Sequence, residues 1–182
     1  MLELVTLLAV VGMLTGWTFN KLVQQRNQVL AAWSDIDVQL LRRHDLVPQL
    51  VATVKAYADY EKATLAAVTE LRTRSAAATH LPVKAAVEAE VEAAVHKLIA
   101  VAEAYPQLKA DANFLQLQRD LIAIEDHIQY APRFYNGAVR ILNTTVQSFP
   151  QLVVARPFGF REAEYFEVSD PQQRDNVRVE LQ

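Results

Sequence analysis

Residues 32–51 read AWSDIDVQLLRRHDLVPQLV, and this stretch contains the signals that decide the fold. Asp45 suits a helix N-cap, because its carboxylate can accept hydrogen bonds from free backbone N–H groups. Pro48 then falls in the first turn of a new helix, where its missing N–H is not needed. The stretch therefore predicts the end of one helix, a charged corner at residues 42–45 and the start of a second helix. The apolar residues before the corner recur at helical spacing, and they are Trp33, Ile36, Leu40 and Leu41.

Apolar stripes of helical period continue on both sides of this corner. Four segments joined by short breaks predict an all-α protein, an antiparallel up-and-down four-helix bundle. The alternative has three long helices, with the first two segments merged and kinked near Pro48. Pro132 lies inside the fourth segment and predicts a kink there. The segments run from Leu22 to Leu40, from Val47 to Leu71, from Val87 to Tyr105 and from about Asn113 toward Phe149, where Pro150 stops the last one.

Residues 4–19 contain no charged side chain and predict a membrane anchor. A transmembrane helix needs about 20 apolar residues, so this segment is just long enough to be held in a lipid bilayer. A signal peptide is the alternative, but no Lys or Arg precedes the segment and no small-residue cleavage site follows it. Lys21 and Arg26 follow the segment, which predicts a single-pass membrane protein with its soluble part in the cytoplasm. Gly12 and Gly16 form a GxxxG pattern that predicts packing between two anchors.

These patterns divide the chain into three predicted parts. Residues 1–19 are the transmembrane anchor, residues 20–150 the helical bundle, and residues 151–182 a C-terminal tail. The tail carries Phe158, Phe160, Tyr165 and Phe166 without a helical period. We expect it to pack as an extended strap on the bundle and then to fray through residues 169–176.

Composition excludes several classes of function. The net charge is −3, whereas a nucleic-acid-binding protein usually has a strongly basic face. The chain has no Cys, which excludes thiol catalysis and Cys-ligated metal centres. With 4 Gly there is no phosphate-binding glycine loop, and no bound cofactor is predicted.

Charged residues on the apolar stripes are the candidate site residues. Arg26 falls between Val23 and Val29, and a buried charge is tolerated mainly when it is paired and hydrogen-bonded. We therefore predict an inter-helix polar network that either sets the register of the helices or forms a ligand or partner site. Its members are drawn from Arg26, Asp37, Arg42, Arg43, Glu61 and Glu125.

A metal site has one weak candidate in the sequence. Glu88, Glu92 and His96 recur at four-residue spacing on one predicted helical face. A zinc enzyme requires three protein ligands and a polarised water, and the sequence contains no HExxH pattern. These residues are therefore interpreted as a solvated charged face.

The chain resembles the LemA family, whose signature near the N-terminus is AWS-x-IDVQL-x-RR-x-DL-[IV]-P. Further matching elements are NKLV from Asn20, KAYADYE from Lys55, EAYPQLKAD, FLQLQRDL from Phe114, FYNGAVR from Phe134 and the aromatic tail. The resemblance implies an N-terminally anchored membrane protein with a helical bundle. Some members of the family are linked to membrane remodelling or magnetosome biogenesis, and others resemble partners of membrane proteases.

Three functional hypotheses follow. The first is a non-enzymatic, membrane-anchored interaction or scaffold module that displays its helix surfaces to a protein partner. The second is a structural protein that assembles with copies of itself and organises or remodels the membrane. The third is a metal-dependent enzyme, for which only the Glu88 face offers residues.

Overall fold

The structure is a computed structural model and describes residues 1–58 and 61–166. All regular secondary structure in these two ranges is α-helical, so the predicted all-α class is confirmed. The helices are α1 (Leu2–Tyr57), α2 (Lys62–Ala77), α3 (Leu81–Glu103), α4 (Pro106–Lys109), α5 (Ala112–Gln147) and α6 (Gln151–Ala155).

The predicted corner at residues 42–45 is wrong, because α1 continues through it as one helix. Asp45 lies inside α1 and is no N-cap, and Pro48 also lies inside the helix. The reason is that the buried stripe keeps its phase across the charged residues. Buried positions recur three or four residues apart along the helix, and they are Ile36, Leu40, Arg43, Val47, Leu50 and Val54. Arg43 thus takes the place of an apolar residue in an unbroken stripe.

The first two predicted segments are therefore joined and divided differently from the prediction. The first segment and the start of the second form α1, as the alternative arrangement supposed, but the remainder of the second forms the separate helix α2. The chain leaves α1 at Ala58, whose N–H donates to the Val54 carbonyl at 2.8 Å. The up-and-down arrangement of four helices stays a prediction, as does the kink at Pro132, through which α5 continues.

Asp111 begins α5 by capping it. Its Oδ1 accepts hydrogen bonds from the backbone N–H groups of Asn113 at 2.8 Å and Phe114 at 3.0 Å. These are two of the four N–H groups that a helix start leaves without an intrahelical partner. The sequence placed this start at about Asn113, one residue from the observed Ala112.

The chain divides into two compact units. The first unit consists of Met1–Leu40 and Glu125–Tyr165, and the second of Leu41–Ile124 with Phe166. The second unit is built on an apolar core to which α1, α2, α3 and α5 contribute. Its most deeply buried members include Val47, Leu50, Val54, Val68, Val91, Leu98 and Phe114.

The first unit combines the N-terminal part of α1 with the C-terminal part of α5, α6 and the residues that follow. The Trp33 ring packs edge-on against Tyr135, with 5.8 Å between ring centres. Asn143 exchanges two hydrogen bonds with the backbone of Ala163, at 2.8 and 2.9 Å, and so holds the tail on α5. Residues 151–155 are helical, which corrects the extended conformation predicted for them. Residues 160–166 have no regular structure, and the predicted fraying at residues 169–176 lies outside the described residues.

The N-terminal part of α1 is apolar and lies outside both cores. Among the described residues, α1 is the one helix long and apolar enough to cross a membrane, and only 6% of its most apolar window is buried. This finding is consistent with the predicted anchor. The three-part division at residues 19 and 150 stays a prediction.

Candidate functional site

A buried polar cluster joins three helices of the second unit. We call it the Glu88 cluster, and it consists of Arg43 and His44 on α1, Ser75 on α2 and Glu88 on α3. Arg43 is 2% exposed and Glu88 is 3% exposed, so the charges lie inside the protein. Buried charges of this kind are stable only when each is paired and hydrogen-bonded.

The carboxylate of Glu88 is the centre of the cluster. Nη1 of Arg43 lies 3.2 Å from Oε2, and Nε2 of His44 lies 2.9 Å from Oε1. The Ser75 hydroxyl also donates to Oε1. A carboxylate only accepts hydrogen bonds, so the geometry assigns a proton to Nε2 of His44. Both carboxylate oxygens are therefore partnered, and Nη1 of Arg43 also reaches the Glu88 carbonyl at 3.4 Å.

Opposing effects act on the acidity of Glu88. Burial raises the pKa of its carboxyl, because removal from water disfavours the charged form. The hydrogen bonds from His44 and Ser75 lower the pKa, as do the electrostatic contributions of His44 and Arg43. The lowering contributions are larger together, and the pKa of Glu88 lies below its ordinary value. Glu88 is thus a carboxylate held in its charged form by its neighbours.

Arg72 attaches α2 to the backbone of the same region of α1. Its Nε donates to the carbonyl of His44 at 2.7 Å. In a regular helix this carbonyl would accept from the N–H four residues later, but that residue is Pro48, which has none. The proline therefore frees a backbone acceptor, and Arg72 uses it.

The sequence identified one member of this cluster, Arg43, and missed its partners. Glu88 was interpreted as part of a solvated face, and burial shows that this was wrong. A signal was available, because a polar residue occupies one position of the buried stripe on each of three helices. The stripes are Leu40, Arg43 and Val47 on α1, Leu65, Val68 and Ser75 on α2, and Glu88, Val91 and Val95 on α3.

The other predicted network residues lie elsewhere. Arg26 is exposed in the first unit, with its guanidinium 5.4 Å from the centre of the Phe160 ring. Arg42 is exposed on α1, and Glu61 is half-buried just before α2. The half-buried residues Asp37 and Glu125 lie in the first unit, and each has an interaction partner. A network uniting several of these six residues stays a prediction.

The Glu88 cluster offers little to a metal ion or a substrate. In residues 1–58 and 61–166, no group of three His, Asp or Glu side chains is placed to hold a metal ion. The polar atoms of Glu88 are used by the protein itself, and the cluster links α1, α2 and α3.

A surface groove between α1 and α5 of the first unit is the stronger candidate for binding. It has a volume of about 500 Å³ and combines apolar walls with acidic residues. Oε1 of Gln39 is buried there without a hydrogen-bond donor from the described residues. The groove is lined by Ala32, Asp35, Val38, Gln39, Asp126, His127, Tyr130, Ala131 and Phe134.

The groove exposes unusually large apolar side chains. Tyr130 is 61% exposed and Phe134 is 59% exposed, and Val38 faces solvent on the opposite wall. Contiguous exposed apolar surface bordered by polar residues is typical of interaction sites. Asp35 and Asp126 add two negative charges on opposite walls.

Comparison with known proteins gives the chain a family. The LemA family model matches residues 32–181. Protein LemA of Metamycoplasma hominis is 24% identical over 166 residues, which covers 89% of this chain and 74% of that protein. Magnetosome proteins MamQ 1 and MamQ 2 of Paramagnetospirillum magneticum are each 31% identical over 74 residues, or 41% of this chain and 27% of theirs. With the family model covering most of its length, the chain belongs to the LemA family.

Proposed function

We propose that this protein is a non-enzymatic, membrane-anchored interaction module whose α1–α5 groove binds a helix of a protein partner. The groove is the observation that carries the proposal, because α5 exposes aromatic side chains there beside α1, the helix that continues from the apolar N-terminal segment. The LemA family is not a recognised enzyme family. This is consistent with a role in binding.

The anchor is supported by the length and exposure of the N-terminal part of α1. Residues 2–20 span about 28 Å along a helix axis, close to the roughly 30 Å of a bilayer core. Their large apolar side chains are exposed, so the folded part of the chain does not cover them. Lys21 and Arg26 follow, and the positive-inside rule places the folded part in the cytoplasm in this proposal.

The chemistry of the groove defines the partner. Its apolar walls suit the apolar face of an amphipathic helix, the usual occupant of such grooves. Asp35 and Asp126 favour a basic side chain on that helix. The occupant is therefore an amphipathic, basic helix from another protein.

Site-specific photo-crosslinking of the full chain in native membranes tests this proposal. A photoreactive phenylalanine analogue at Phe134 should crosslink to one defined protein. The same analogue at Val83, which is exposed on α3, is the matched control and should not capture that protein. Reversing the groove charge with Asp35→Lys and Asp126→Lys should abolish the Phe134 crosslink, because a basic helix is then repelled.

Two outcomes would contradict the interaction module. One is crosslinking at Phe134 to lipid alone or to another copy of this chain. The other is a protein crosslink that persists unchanged after the charge reversal or that forms equally from Val83. Each would remove the groove as the docking site.

A second candidate is self-assembly through the anchor, as a structural protein of the membrane. Gly12 and Gly16 are four residues apart, and a Cβ added at either would meet nothing within 4 Å. Gly12→Leu with Gly16→Leu therefore leaves the single chain unaffected but blocks close approach of two helices. If self-assembly is the function, the full chain forms large homo-oligomers in mild detergent and this variant does not. A monodisperse monomer would exclude it.

A further inference from the structure

We propose that the segment following α5, residues 149–161, lies in the headgroup region of the bilayer and forms a second membrane contact beside the anchor. This inference rests on the proposed anchoring by α1. The segment contains α6 and the turn after it, and it belongs to the first unit. The occupant of its exposed surface is an anionic phospholipid bilayer.

Ring contacts place this segment at the end of the anchor. The centre of the Phe158 ring lies 5.1 Å from that of Phe19, and the Phe160 ring lies 5.7 Å from it. Phe19 is at the boundary where the exposed apolar run of α1 gives way to Lys21. Gly159 has a φ of 72°, a conformation that suits glycine and allows both neighbouring phenylalanines to turn toward Phe19. The turn is therefore fixed at the level where the anchor leaves the membrane.

The segment exposes large apolar side chains at this level. Phe149 is 83% exposed, Val153 is 63% exposed and Phe158 is 56% exposed. Trp17 is likewise exposed on the neighbouring turn of α1. Aromatic side chains are enriched where a protein crosses the boundary between hydrocarbon and water. The exposed residues thus continue the apolar surface of the anchor onto a second part of the chain.

The charges of the segment suit an anionic membrane surface. Arg156 and Arg161 are exposed, and residues 149–161 contain no acidic residue. Lys21 directly follows the anchor in the sequence, and its Nζ lies 5.4 Å from the centre of the Trp17 ring. Basic residues near an anionic leaflet are attracted to its negative surface potential. Two contacts, the anchor and this segment, would fix the rotation of α1 about its axis.

Depth-dependent quenching in the full chain tests the inference. The chain has no Cys, so one introduced cysteine carries one environment-sensitive fluorophore. The positions are Val153→Cys for the segment, Met13→Cys for the anchor and Phe134→Cys as the control. Phe134 is about as exposed as Phe158. Its neighbour Tyr135 contacts Trp33, so Phe134 lies near that level of α1. Trp33 is 16 residues beyond Trp17, which is about 24 Å along the helix. That distance exceeds the roughly 5–10 Å depth of interfacial insertion.

The labelled chains are reconstituted into vesicles of phosphatidylcholine and phosphatidylglycerol that carry a quencher either near the headgroup or near the chain end. We expect the headgroup-proximal quencher to act several-fold more strongly at Val153 than at Phe134. We expect the chain-end quencher to act mainly at Met13. In the Val153→Cys chain, adding Arg156→Glu and Arg161→Glu should reduce the headgroup-proximal quenching several-fold.

The outcomes separate this inference from the anchor. Quenching at Met13 with a Val153 signal no stronger than that of Phe134 would overturn the second contact and leave the anchor in place. An unquenched Met13 would overturn the anchor itself. Quenching at Val153 that the two charge reversals do not change would overturn the assignment to an anionic surface.

Discussion

Nε of Arg72 donates a hydrogen bond of 2.7 Å to the carbonyl oxygen of His44, the acceptor that Pro48 leaves without a helical donor. A proline inside a helix is destabilising by about 3 kcal/mol or more, partly because it leaves such a carbonyl unpaired. Here a side chain from α2 supplies the missing donor. The proline and the arginine therefore act as a pair, although they lie on different helices.

Removing Arg72 should destabilise the protein more when Pro48 is present than when it is absent. Arg72→Met keeps the apolar stem and removes the donor, and we expect it to lower the free energy of unfolding by about 1–3 kcal/mol. In a Pro48→Ala background the N–H of the new alanine can donate to the His44 carbonyl, so the same change should be milder by about 1 kcal/mol. The measurement is denaturant unfolding of the full chain in mild detergent, followed by circular dichroism. Arg74→Met is the control, because Arg74 is an exposed arginine on the same helix. Equal losses of stability in the two backgrounds would show that Arg72 and Pro48 are not energetically coupled.

Breaking the Glu88 cluster should be far more damaging than breaking an ion pair at the surface. Glu88→Ala leaves the guanidinium of Arg43 buried without its carboxylate, and we expect a loss of about 3–5 kcal/mol in the free energy of unfolding. Glu90→Ala is the matched control, since Glu90 lies on the same helix and pairs with Arg74 at the same distance of 3.2 Å, but is about half exposed. Its loss should be about 0–1 kcal/mol. The same unfolding measurement compares the two, and similar losses would mean that burial of the cluster does not matter.

Protonation of Glu88 should account for part of the loss of folding stability in acid. The pKa of Glu88 is lower in the folded protein than in the unfolded chain, so folding favours the charged carboxylate. Its contribution is therefore fully present above the unfolded pKa and is lost as the pH falls through the lowered folded pKa. Glu88→Gln resembles the protonated form and has no such dependence. The difference in unfolding free energy between the natural chain and Glu88→Gln should thus shrink as the pH is lowered from about 6 to about 3. A difference that stays constant over this range would contradict the charged state assigned to Glu88.

The helical content and most of the buried stripes could be predicted from the sequence, because a period of three to four residues is a local pattern. The continuity of α1 could not be predicted, since Asp and Pro are residue types that often begin a helix, and Asp45 and Pro48 have the spacing of such a start. What decides between the two is the set of partners of residues 43 and 44, and these lie 28 to 45 residues away along the chain, on α2 and α3. Similarly, Pro150 was interpreted only as a stop, whereas it also begins α6.

The groove and the Phe19–Phe158 contact were beyond sequence reasoning for a related reason. Tyrosine and phenylalanine are residue types that also occur in cores, so the sequence alone does not show that Tyr130 and Phe134 are exposed. Only their burial in the structure distinguishes them from packed aromatic residues. Phe158 belonged to a tail without a period, so its position beside the anchor depended on the turn at Gly159. Both features lie in the first unit, where the sequence offered charges and aromatics but no pairing between them.

The hydroxyl of Tyr57 at the end of α1 donates to Oδ2 of Asp111, the residue that caps α5, at 3.1 Å. This hydrogen bond and the nearby negative charge raise the pKa of Tyr57, because both disfavour the phenolate. The backbone N–H of Phe114 and the Tyr57 hydroxyl lower the pKa of Asp111. Asp111→Asn keeps a capping side chain but removes the charge, so the pKa of Tyr57 should fall toward its ordinary value. Ultraviolet titration of phenolate formation measures this, with Tyr57→Phe identifying which part of the signal belongs to Tyr57. A Tyr57 pKa that does not respond to Asp111→Asn would show that the contact between the two helix ends does not form in solution.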